Sequence, residues 1–581
     1  MTTKMKASDY IAAFLHQKGV RSVFELSGGM ITHLLDSLCK AGQIRIVSVH
    51  HEQAAAFAAD ATGRITGVPG VAMATSGPGA TNLLTGIGSC FFDSSPAVFI
   101  TGQVNRHELK GDRKIRQLGF QETDIVSMAA PITKAAWQVL DPKDLAETLE
   151  RAFALAIEGR PGPVLVDIPM DVQRAEIEIE SALNDHKTLD PGADRGVPDL
   201  VWTQLSEALK CSQRPLILAG GGVRAGSAAE LFGPFVEQLG IPAVNSLMAV
   251  DLLPYKHPLR VGLIGSYGNR WANLAIAESD LLIVLGSRLD IRQTGSDTAF
   301  FKRGRTIFHV DCEAGEINNR VVGCHSIVAN VRDFLKLAVK KLNSPAAQQK
   351  REWVGRLRAL QEQYPDTAEL PEGKGINPNQ FIHQLSRAST QAAAYVVDVG
   401  QHQMWAAQST EVSASQRWIT SGGMGSMGFS LPAAVGTSIA VAPRPIVVVA
   451  GDGSFQCNIQ ELQTIVRNKL AIKIVVINNR CHGMVRQFQQ SYFDERYQST
   501  LWGYDTPDFV SVAQAYGITG RRVETEDQIE SGLAFLWEDA SRPALLEVMI
   551  DTYANSYPKI AFGRPLSDME PQAKPVEMEG T

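Results

Sequence analysis

The sequence predicts an α/β protein made of three doubly wound parallel-sheet domains. Short β-branched apolar runs alternate with amphipathic helical stretches along nearly the whole chain, which is typical of βαβ units. Several of these runs end in glycine-rich turns, as strands do where a parallel sheet passes into a helix. Two polar connections interrupt the alternation, and 581 residues are too many for a single core.

The first domain is predicted over residues 1–175. Ser8 and Asp9 are expected to cap a helix that runs to Gly19, and a second helix starts near Glu52 and ends near Gly67. Strands are predicted at residues 22–26, 44–49, 71–75 and 96–102, and the segment 162–169 closes the domain.

The second domain is predicted over residues 195–340, after a linker at 176–195 that is rich in Asp, Pro and Gly. Its strands are expected at 215–219, 281–285 and 306–310. Gly220, Gly221 and Gly222 follow the first of them. The spacing Gly220-x-Gly222-x-x-Ala225 fits a dinucleotide loop only vaguely, and a tight strand-to-helix turn is the commoner meaning.

The third domain is predicted over residues 376–550, after a connection that is helical around residues 351–363. Residues 446–450 and 472–477 form buried parallel strands, and Asn458 with Glu461 has the spacing of a capping box on the helix between them. The tail, 551–581, has proline and charge but no period, so it receives no assignment.

Polar residues follow both of these parallel strands. Asp452 stands in Gly451-Asp452-Gly453 after the first strand, and Asn479 follows the second. The carboxyl ends of parallel strands open on one edge of a sheet, so Asp452 and Asn479 are expected side by side. With the carbonyl of Cys481 they make an all-oxygen site, which suits Mg²⁺. Each piece alone is more often an ordinary turn or cap, and the combination is what indicates a metal.

Composition excludes some classes of function. A net charge of −6 gives no basic face for nucleic acid, and no apolar run reaches the roughly 18 residues of a membrane span. The N-terminus lacks the apolar core of a signal peptide. The seven cysteines are scattered without metal-binding spacing, so we expect reduced thiols and a cytoplasmic location.

The segment from Asp452 to Asn479 resembles the thiamine-diphosphate (ThDP) binding motif. The resemblance implies that Asp452, Asn479 and the Cys481 carbonyl hold Mg²⁺, which holds the cofactor's diphosphate. Such enzymes also need a buried glutamate beside the aminopyrimidine ring, and Glu52 in His51-Glu52-Gln53 directly follows a predicted strand. An isolated glutamate there would simply complement the helix dipole. Beside the metal motif we interpret Glu52 as the activating acid.

Longer motifs in all three domains resemble the catalytic subunit of acetohydroxyacid synthase (acetolactate synthase), within the pyruvate-decarboxylase-like ThDP enzymes. They include Ser76-Gly77-Pro78-Gly79-Ala80-Thr81-Asn82, Phe120-Gln121-Glu122, Gly400-Gln401-His402-Gln403-Met404-Trp405 and Thr420-Ser421-Gly422-Gly423-Met424-Gly425-Ser426-Met427-Gly428.

The resemblance implies roles for individual residues. The first domain would bind the cofactor's pyrimidine and the third its diphosphate. Gln121 and Phe120 would line the active site above the thiazolium ring, and Gly425 and Met427 would contact the aminopyrimidine. The implied diphosphate contacts are Val399, Gly400, Gln401, His402, Gly453 and Ser454.

The central domain resembles the family's FAD-binding domain. The flavin contacts that this implies are Gly220, Gly221, Gly222, Arg224, Arg288, Asp290 and Asp311. In such synthases the flavin does no redox work, whereas the related pyruvate oxidases use it, so a flavin alone leaves the reaction open.

Departures from the family pattern cluster at the expected acceptor pocket. Met30 replaces a small residue, Phe488 stands where the synthases carry Trp, and Ile291 replaces an Asp. Arg292, which resembles the arginine that holds the acceptor's carboxylate, is kept. We therefore list Arg292, Phe488 and Met30 as acceptor-binding residues, and Met170, Ser266 and Tyr267 as further departures.

The predicted function is a ThDP-dependent carboligase that decarboxylates pyruvate and transfers the two-carbon unit to a second 2-keto acid, giving 2-acetolactate. The alternatives are transfer to a keto-sugar nucleotide, a flavin-linked pyruvate oxidase, and a structural subunit that only holds cofactors. In the family one active centre draws on two subunits, which implies a homodimer or homotetramer. A regulatory subunit is a further candidate partner.

Overall fold

The structure, a computed structural model, describes residues 2–180, 196–342, 347–370 and 375–578. Its core consists of three six-stranded parallel sheets, one in each predicted domain, which confirms the predicted fold class. Among the described residues no helix is both long and apolar enough to cross a membrane.

The N-terminal sheet has the strand order β3-β2-β4-β5-β7-β6. The strands of this domain are β1 Thr2–Lys6, β2 Ser22–Leu26, β3 Arg45–Ser48, β4 Gly70–Ala74, β5 Ala97–Gln103, β6 Ala135–Gln138, β7 Pro163–Pro169 and β8 Glu176–Glu180. Its helices are α1 Ala7–Gln17, α2 Thr32–Ala41, α3 Glu52–Thr66, α4 Pro78–Asn82, α5 Leu84–Asp93, α6 Ile125–Ala129, α7 Leu145–Ile157 and α8 Met170–Gln173.

The central sheet has the order β11-β10-β9-β12-β13-β14. Its strands are β9 Pro215–Ala219, β10 Ala243–Asn245, β11 Arg260–Leu263, β12 Leu281–Leu285, β13 Thr306–Asp311 and β14 His325–Val328. The helices are α9 Asp199–Cys211, α10 Gly222–Ala225, α11 Ala229–Leu239, α12 Arg270–Glu278, α13 Ile291–Thr294, α14 Thr298–Lys302 and α15 Val331–Lys341, and α16 Ala347–Gln363 leads on towards the third domain.

The C-terminal sheet has the order β16-β15-β17-β18-β20-β19. Its strands are β15 Ala394–Val397, β16 Arg417–Thr420, β17 Ile446–Gly451, β18 Ile472–Asn478, β19 Thr519–Val523 and β20 Ala544–Met549. The helices are α17 Pro378–Ala388, α18 Gln401–Ser409, α19 Ser430–Val441, α20 Asp452–Gln456, α21 Glu461–Arg467, α22 Gly483–Tyr492, α23 Phe509–Ala515 and α24 Ile529–Leu536.

In each sheet the strand order reverses beside the domain's central strand, which creates a crevice at the carboxyl ends. The crevices lie between β2 and β4, between β9 and β12, and between β15 and β17. The glycine turns after the strands meet there. In the central domain, for example, Gly222 N donates to Gly286 O at 2.9 Å. Each crevice is therefore a place where a ligand can approach the backbone closely.

Helices α3 and α19 join the two terminal domains in one hydrophobic core. The contact is close because small residues face each other, and a Cβ on Gly436 would lie 2.1 Å from the carbonyl oxygen of Ala58. Ring packing between Phe57 and Phe429, with centroids 5.3 Å apart, extends the contact. Helix α3, which begins with Glu52, is thereby fixed against the C-terminal domain.

Three local predictions were wrong. Helix α1 begins at Ala7, so Ser8 and Asp9 lie in its first turn, where both side chains accept a hydrogen bond from Ser37 Oγ. Residues 176–180 of the predicted linker form β8, which pairs antiparallel with β1. Residues 181–195 of that linker lie outside the described part of the chain.

The third wrong prediction is the capping box at Asn458 and Glu461. Helix α21 begins only at Glu461, whose carboxylate accepts a hydrogen bond from His50 N at 3.0 Å. Asn458 instead donates to Gly428 O at 2.8 Å and to Gln53 at 3.0 Å. Contacts with the N-terminal domain and with the loop before α19 replace the expected capping contacts.

The unassigned tail folds back onto the central domain. It carries β21 Lys559–Ile560 and β22 Met569–Glu570, and Ile560, Leu566 and Met569 join a hydrophobic core of the central domain. The buried Arg270 makes two 2.7 Å bonds to the carboxylate of Glu369 and donates to the carbonyls of Met569 and Glu570. Arg270 thus binds both the tail and the segment between the second and third domains to one helix, α12.

Candidate active site

Asp452 lies at the carboxyl end of β17 and is the first residue of α20. Its side chain is buried, and the hydroxyl of Tyr504 donates to Asp452 Oδ2 at 3.0 Å. Burial raises the pKa of Asp452 to about 7, although the hydrogen bond from Tyr504 opposes the rise. A buried carboxylate with so raised a pKa favours a cation at its side.

The two asparagines after β18 have different environments. Asn478 donates to Glu547 at 2.8 Å and accepts from Arg480 N, so it closes the end of the strand. Asn479 donates to Gln401 Oε1 at 3.0 Å, and its own Oδ1 accepts from Cys481 N at 3.2 Å. Asn479, and not Asn478, therefore faces the residues at the end of β15.

Cys481 is buried, and its thiol is directed at the carbonyl of Thr552, with 3.4 Å between sulfur and oxygen. Burial raises the pKa of Cys481 to about 11, so the thiol stays protonated at neutral pH. A protonated thiol is a poor metal ligand, which leaves the carbonyl oxygen as the donor this residue can offer.

His402 lies between the ends of β15 and β17. A Cβ on Gly400 or Gly451 would lie 2.6 Å from the His402 ring, so both positions need glycine. The ring is buried, its Nε2 has no hydrogen-bond partner within the described residues, and burial lowers the pKa of His402 to about 3. His402 is thus a neutral imidazole with one free nitrogen in the crevice.

The remaining diphosphate candidates lie on the same edge of the sheet. Gly453 lacks room for a side chain, since an added Cβ would lie 2.8 Å from the His482 ring. The hydroxyl of Ser454 bonds to the backbone of Gly451, at 3.1 Å from its nitrogen and 3.2 Å from its oxygen. Val399 is half-buried beside Gly425, 3.9 Å from where a Cβ of that glycine would lie. The crevice between β15 and β17 therefore gathers the predicted metal and diphosphate residues.

Glu52 is buried at the start of α3, where His51 is the N-cap residue. Its Oε2 accepts a hydrogen bond from Asn82 at 2.9 Å, and Gly79 packs near Oε1. Both partners belong to Ser76–Asn82, the glycine-containing stretch after β4. These contacts hold the carboxylate in position, and it forms no ion pair within the described part of the chain.

Gln121 and Phe120 lie on a loop of the N-terminal domain. Gln121 has a φ of +66°, which a non-glycine residue rarely adopts and which is common at functional sites. Its neighbour Glu122 closes the loop by accepting from Lys110 N at 2.6 Å and Leu118 N at 2.8 Å. Phe120 is 79% exposed, an unusual state for an aromatic side chain in a single chain.

Gly425 and Met427 lie in the loop that connects β16 with α19. Gly425 has a φ of +68°, and Met427 is 39% exposed. The buried carboxylate of Asp398 accepts from Gly428 N at 2.9 Å and Ser430 N at 2.8 Å. Asp398 therefore fixes the far end of this loop to the end of β15.

A cavity of about 650 Å³ lies between the central domain and residues of both terminal domains. Six of the seven predicted flavin residues line it, namely Gly221, Gly222, Arg224, Arg288, Asp290 and Asp311. Val399 and Gly425 lie on the same wall, so the cavity reaches the predicted ThDP residues. Gly220 stands behind this wall, in the turn where its N donates to Leu285 O at 2.9 Å.

The three predicted acceptor residues lie apart in this single chain. Arg292 lines the cavity together with Ser266, Tyr267 and Ile291. Phe488 packs against the rings of Tyr492 and Phe493, and the carbonyl of Met30 is held by Gln173 at 2.7 Å. Within one chain, therefore, Arg292 alone of the three faces the cavity.

Sequence reasoning missed two buried acids and one tyrosine. Asp398 follows an apolar strand just as Asp452 does, and that position was a usable signal. Asp93 and Tyr504 gave no such signal, because their partners, Gly423 and Asp452, are distant in sequence.

The chemistry of the donors fits the predicted ligands. Asp452, Asn479 and the Cys481 carbonyl would bind a metal through oxygen atoms, as Mg²⁺ prefers. This set contains a single carboxylate, and the described residues contain no cluster of three His, Cys, Asp or Glu side chains that could hold a metal. The free Nε2 of His402 and the start of α20 offer polar contacts for an anion. In the cavity, Arg224 Nε is buried without a partner in the described residues.

All three domains of the chain match families of known proteins. The chain matches the N-terminal TPP binding domain of thiamine pyrophosphate enzymes over residues 5–128 and their central domain over residues 202–337. Residues 398–548 match their C-terminal TPP binding domain. Fold and site together define a ThDP-dependent enzyme.

Individual relatives narrow the class. The acetolactate synthase large subunit of Cyanidium caldarium is 37% identical over 561 residues, 95% of this chain and 94% of that protein. The isozyme 2 large subunit of Escherichia coli is 35% identical over 568 residues, 97% of this chain and 99% of that protein. A probable acetolactate synthase large subunit of Methanocaldococcus jannaschii is 35% identical over 588 residues, 99% of this chain and 96% of that protein.

The chain belongs to the family of acetolactate synthase large subunits. It is a ThDP-dependent carboligase, and acetolactate formation is the function that these relationships support. They do not favour the sugar-transfer or pyruvate-oxidase alternatives.

Proposed function

We propose that the crevice between β15 and β17 binds ThDP through Mg²⁺, with Asp452, Asn479 and the Cys481 carbonyl as the metal ligands. The observation that carries this proposal is the meeting of buried Asp452, Asn479 and His402 at one sheet edge. A divalent cation would neutralise the carboxylate and the diphosphate together, which offsets the cost of burying both. Val399, Gly400, Gln401, His402, Gly453 and Ser454 are the proposed diphosphate contacts.

Glu52 is the proposed activating acid. The chemistry that ThDP would supply here, when bound, is a carbon nucleophile for the decarboxylation of pyruvate. Glu52 would hold a proton at its carboxylate, while Asn82 keeps that carboxylate oriented. Gln121 and Phe120 would exclude water from the reacting carbons, and Gly425 and Met427 would orient the cofactor.

The cavity beside the central domain is the proposed FAD site. Its volume of about 650 Å³ and its arginine-rich wall suit a large anionic cofactor. Buried Asp311, whose pKa is raised by burial, offers an acceptor for hydroxyl groups. We expect a yellow protein that retains FAD through purification and needs no flavin reduction for activity. Full activity of flavin-free protein would contradict this role for the cavity.

The second substrate is the proposed acceptor, a 2-keto acid whose carboxylate pairs with Arg292. Pyruvate in that place gives 2-acetolactate. Phe488 and Met30 would complete the pocket from other parts of the assembly, because neither lines the cavity within one chain.

We propose a homodimer or homotetramer in which two chains build each active centre. Apolar side chains near the proposed site are open in the single chain, with Phe120 79% and Met427 39% exposed. The relatives named above are large subunits, so we also propose a smaller regulatory partner. The cysteines in the described part of the chain are free, which suits the cytoplasm.

The proposed domains are residues 1–175, 195–340 and 376–550, and residues 551–581 form the proposed C-terminal tail. One parallel sheet lies within each of the three domains.

Identifying the carbon products formed from pyruvate alone tests the function. We expect CO₂ and 2-acetolactate in equal amounts. Acetate or acetyl phosphate with reduction of an added electron acceptor would indicate an oxidase instead.

A further inference from the structure

A buried ion cluster connects the two terminal domains beside the cavity proposed for FAD, which Arg64 and Asp93 help to line. Arg64, near the end of α3, pairs with Asp60 at 2.5 Å and with Asp93 at 3.1 Å. The side chains of Asp60 and Asp93 are 0% and 1% exposed. Burying charges is costly unless they are paired and hydrogen-bonded, so each contact within this cluster matters.

Asp93 also contacts the loop that leads to Gly425 and Met427. Its Oδ1 accepts from Gly423 N at 2.6 Å and from Gly422 N at 3.2 Å. Arg64 donates to Thr420 O at 2.7 Å, at the start of the same loop. Thr420, Gly422 and Gly423 are thus hydrogen-bonded to the N-terminal domain of the same chain.

The loop lies very close to the N-terminal domain at this point. A Cβ on Gly423 would lie 2.8 Å from Phe92, the residue before Asp93. A side chain there would push the loop away from the carboxylate. Glycine at position 423 and aspartate at position 93 therefore form one matched contact.

We infer that Asp93 is a positioning residue that holds the loop 420–427 in the conformation that binds the cofactor. The inference rests on the proposed function, in which Gly425 and Met427 contact the aminopyrimidine. Asp93 fixes the loop just before Gly425, and Asp398 fixes it just after Met427. Between these two anchors the backbone of residues 424–427 has little freedom to move.

Helix α3 connects the Arg64–Asp93 ion pair with Glu52. Glu52 begins the helix and Arg64 lies twelve residues later, about 18 Å along the axis. One rigid element therefore carries the proposed activating acid at one end and the support of the cofactor loop at the other.

The test compares Asp93→Asn with Asp60→Asn in the full-length protein. Both variants remove a buried carboxylate that pairs with Arg64, but Asp60 makes its ion pair without contacting the loop. The new side chain in Asp93→Asn would have one oxygen and one NH₂ group, so it cannot accept hydrogen bonds from both Arg64 and the loop amides, as Asp93 does. Hydrogen exchange at the amides of Gly422 and Gly423 is measured without ThDP, and ThDP affinity is measured by titration.

We expect faster exchange at both glycines in Asp93→Asn, together with an affinity for ThDP reduced by about tenfold or more, the equivalent of one charge-assisted hydrogen bond. Asp60→Asn keeps both bonds from Asp93 to the loop, so it should lower the thermal midpoint and change both readouts much less than Asp93→Asn does. Equal effects in the two variants, or slow exchange at the glycines in Asp93→Asn, would overturn the inference. Faster exchange with unchanged ThDP affinity would also overturn it, whereas absence of ThDP binding in the wild-type protein would contradict the proposed function itself.

Discussion

The hydroxyl of Tyr504 donates a hydrogen bond of 3.0 Å to Oδ2 of Asp452, and the Tyr504 ring packs on His482 at 4.3 Å between centroids. This bond and hydrogen bonds from the backbone of Asp452, Gly453 and Cys481 favour the charged carboxylate. They are not enough to compensate for burial, since the pKa of Asp452 remains near 7. Without a cation, the charged form of Asp452 therefore destabilises the folded protein.

Asp452→Asn should accordingly stabilise the metal-free protein, and only at higher pH. The pKa of Asp452 is about 7 when folded and near 4 when unfolded, so the folded state holds the proton more tightly. The loss of folding stability that ionisation of Asp452 causes is thus absent below about pH 4. It grows up to pH 7 and is then constant at no more than about 4 kcal/mol.

Thermal unfolding without Mg²⁺ and ThDP, compared at pH 5.5 and pH 8.5, checks this sign. The advantage of the Asn variant should be larger at pH 8.5. A variant less stable than wild type at pH 8.5 would mean that the charged carboxylate is well compensated.

Glu52→Gln keeps the size of the side chain and can keep the contact with Asn82. It removes the proton-accepting carboxylate, so pyruvate turnover should fall by at least about a hundredfold while ThDP still binds. Steady-state kinetics and a ThDP titration on the same preparation separate the two effects. Near-normal turnover would remove Glu52 from the mechanism.

Glu369→Ala should destabilise the protein strongly, because it leaves Arg270 buried without its charged partner. Breaking a buried pair of this kind costs about 3–5 kcal/mol. Glu278→Ala is the matched control, since the Glu278–Arg356 pair is exposed and such pairs contribute about 0–1 kcal/mol.

The measurements for this pair of variants are thermal unfolding and limited proteolysis of residues 551–578. We expect early cleavage of the tail in Glu369→Ala only. Equal stability of the two variants would show that Arg270 does not hold the tail.

We expect this acceptor pocket to favour pyruvate over 2-ketobutyrate more than a pocket with the family's usual residues would. The family resemblance implies that a tryptophan at this position recognises the extra methylene of 2-ketobutyrate. One methylene corresponds to about 1–3 kcal/mol, or roughly tenfold to 200-fold in rate. Phe488 offers a smaller ring. With equal pyruvate and 2-ketobutyrate we expect at least as much acetolactate as 2-aceto-2-hydroxybutyrate.

Chromatographic separation of the two products decides the question, and Phe488→Trp should move the ratio towards 2-aceto-2-hydroxybutyrate. A large excess of 2-aceto-2-hydroxybutyrate from the wild-type protein would contradict the expectation.

The sequence was sufficient to predict the three sheets, because short apolar runs such as 446–450 are rich in β-branched residues and lie between turn signals, which favours buried strands. The meeting of the β17 and β18 ends also followed from sequence, since a βαβ unit fixes both strand directions.

Contacts between distant segments could not be predicted in this way. Strand β8 alternates Glu with Ile, and only its pairing with β1 makes it a strand. The spacing of Asn458 and Glu461 fits a capping box, but both side chains form hydrogen bonds with the N-terminal domain instead. In the tail, Ile560 and Met569 are buried by the central domain and not by their own neighbours.

The central claim is that Asp452 holds the metal that binds ThDP, and a calorimetric titration with ThDP tests it most directly. Wild-type protein should bind ThDP only when Mg²⁺ is present. Asp452→Ala lacks the one charged ligand, so its binding should collapse even at saturating Mg²⁺. Unchanged ThDP affinity in Asp452→Ala would contradict the account and place the metal elsewhere.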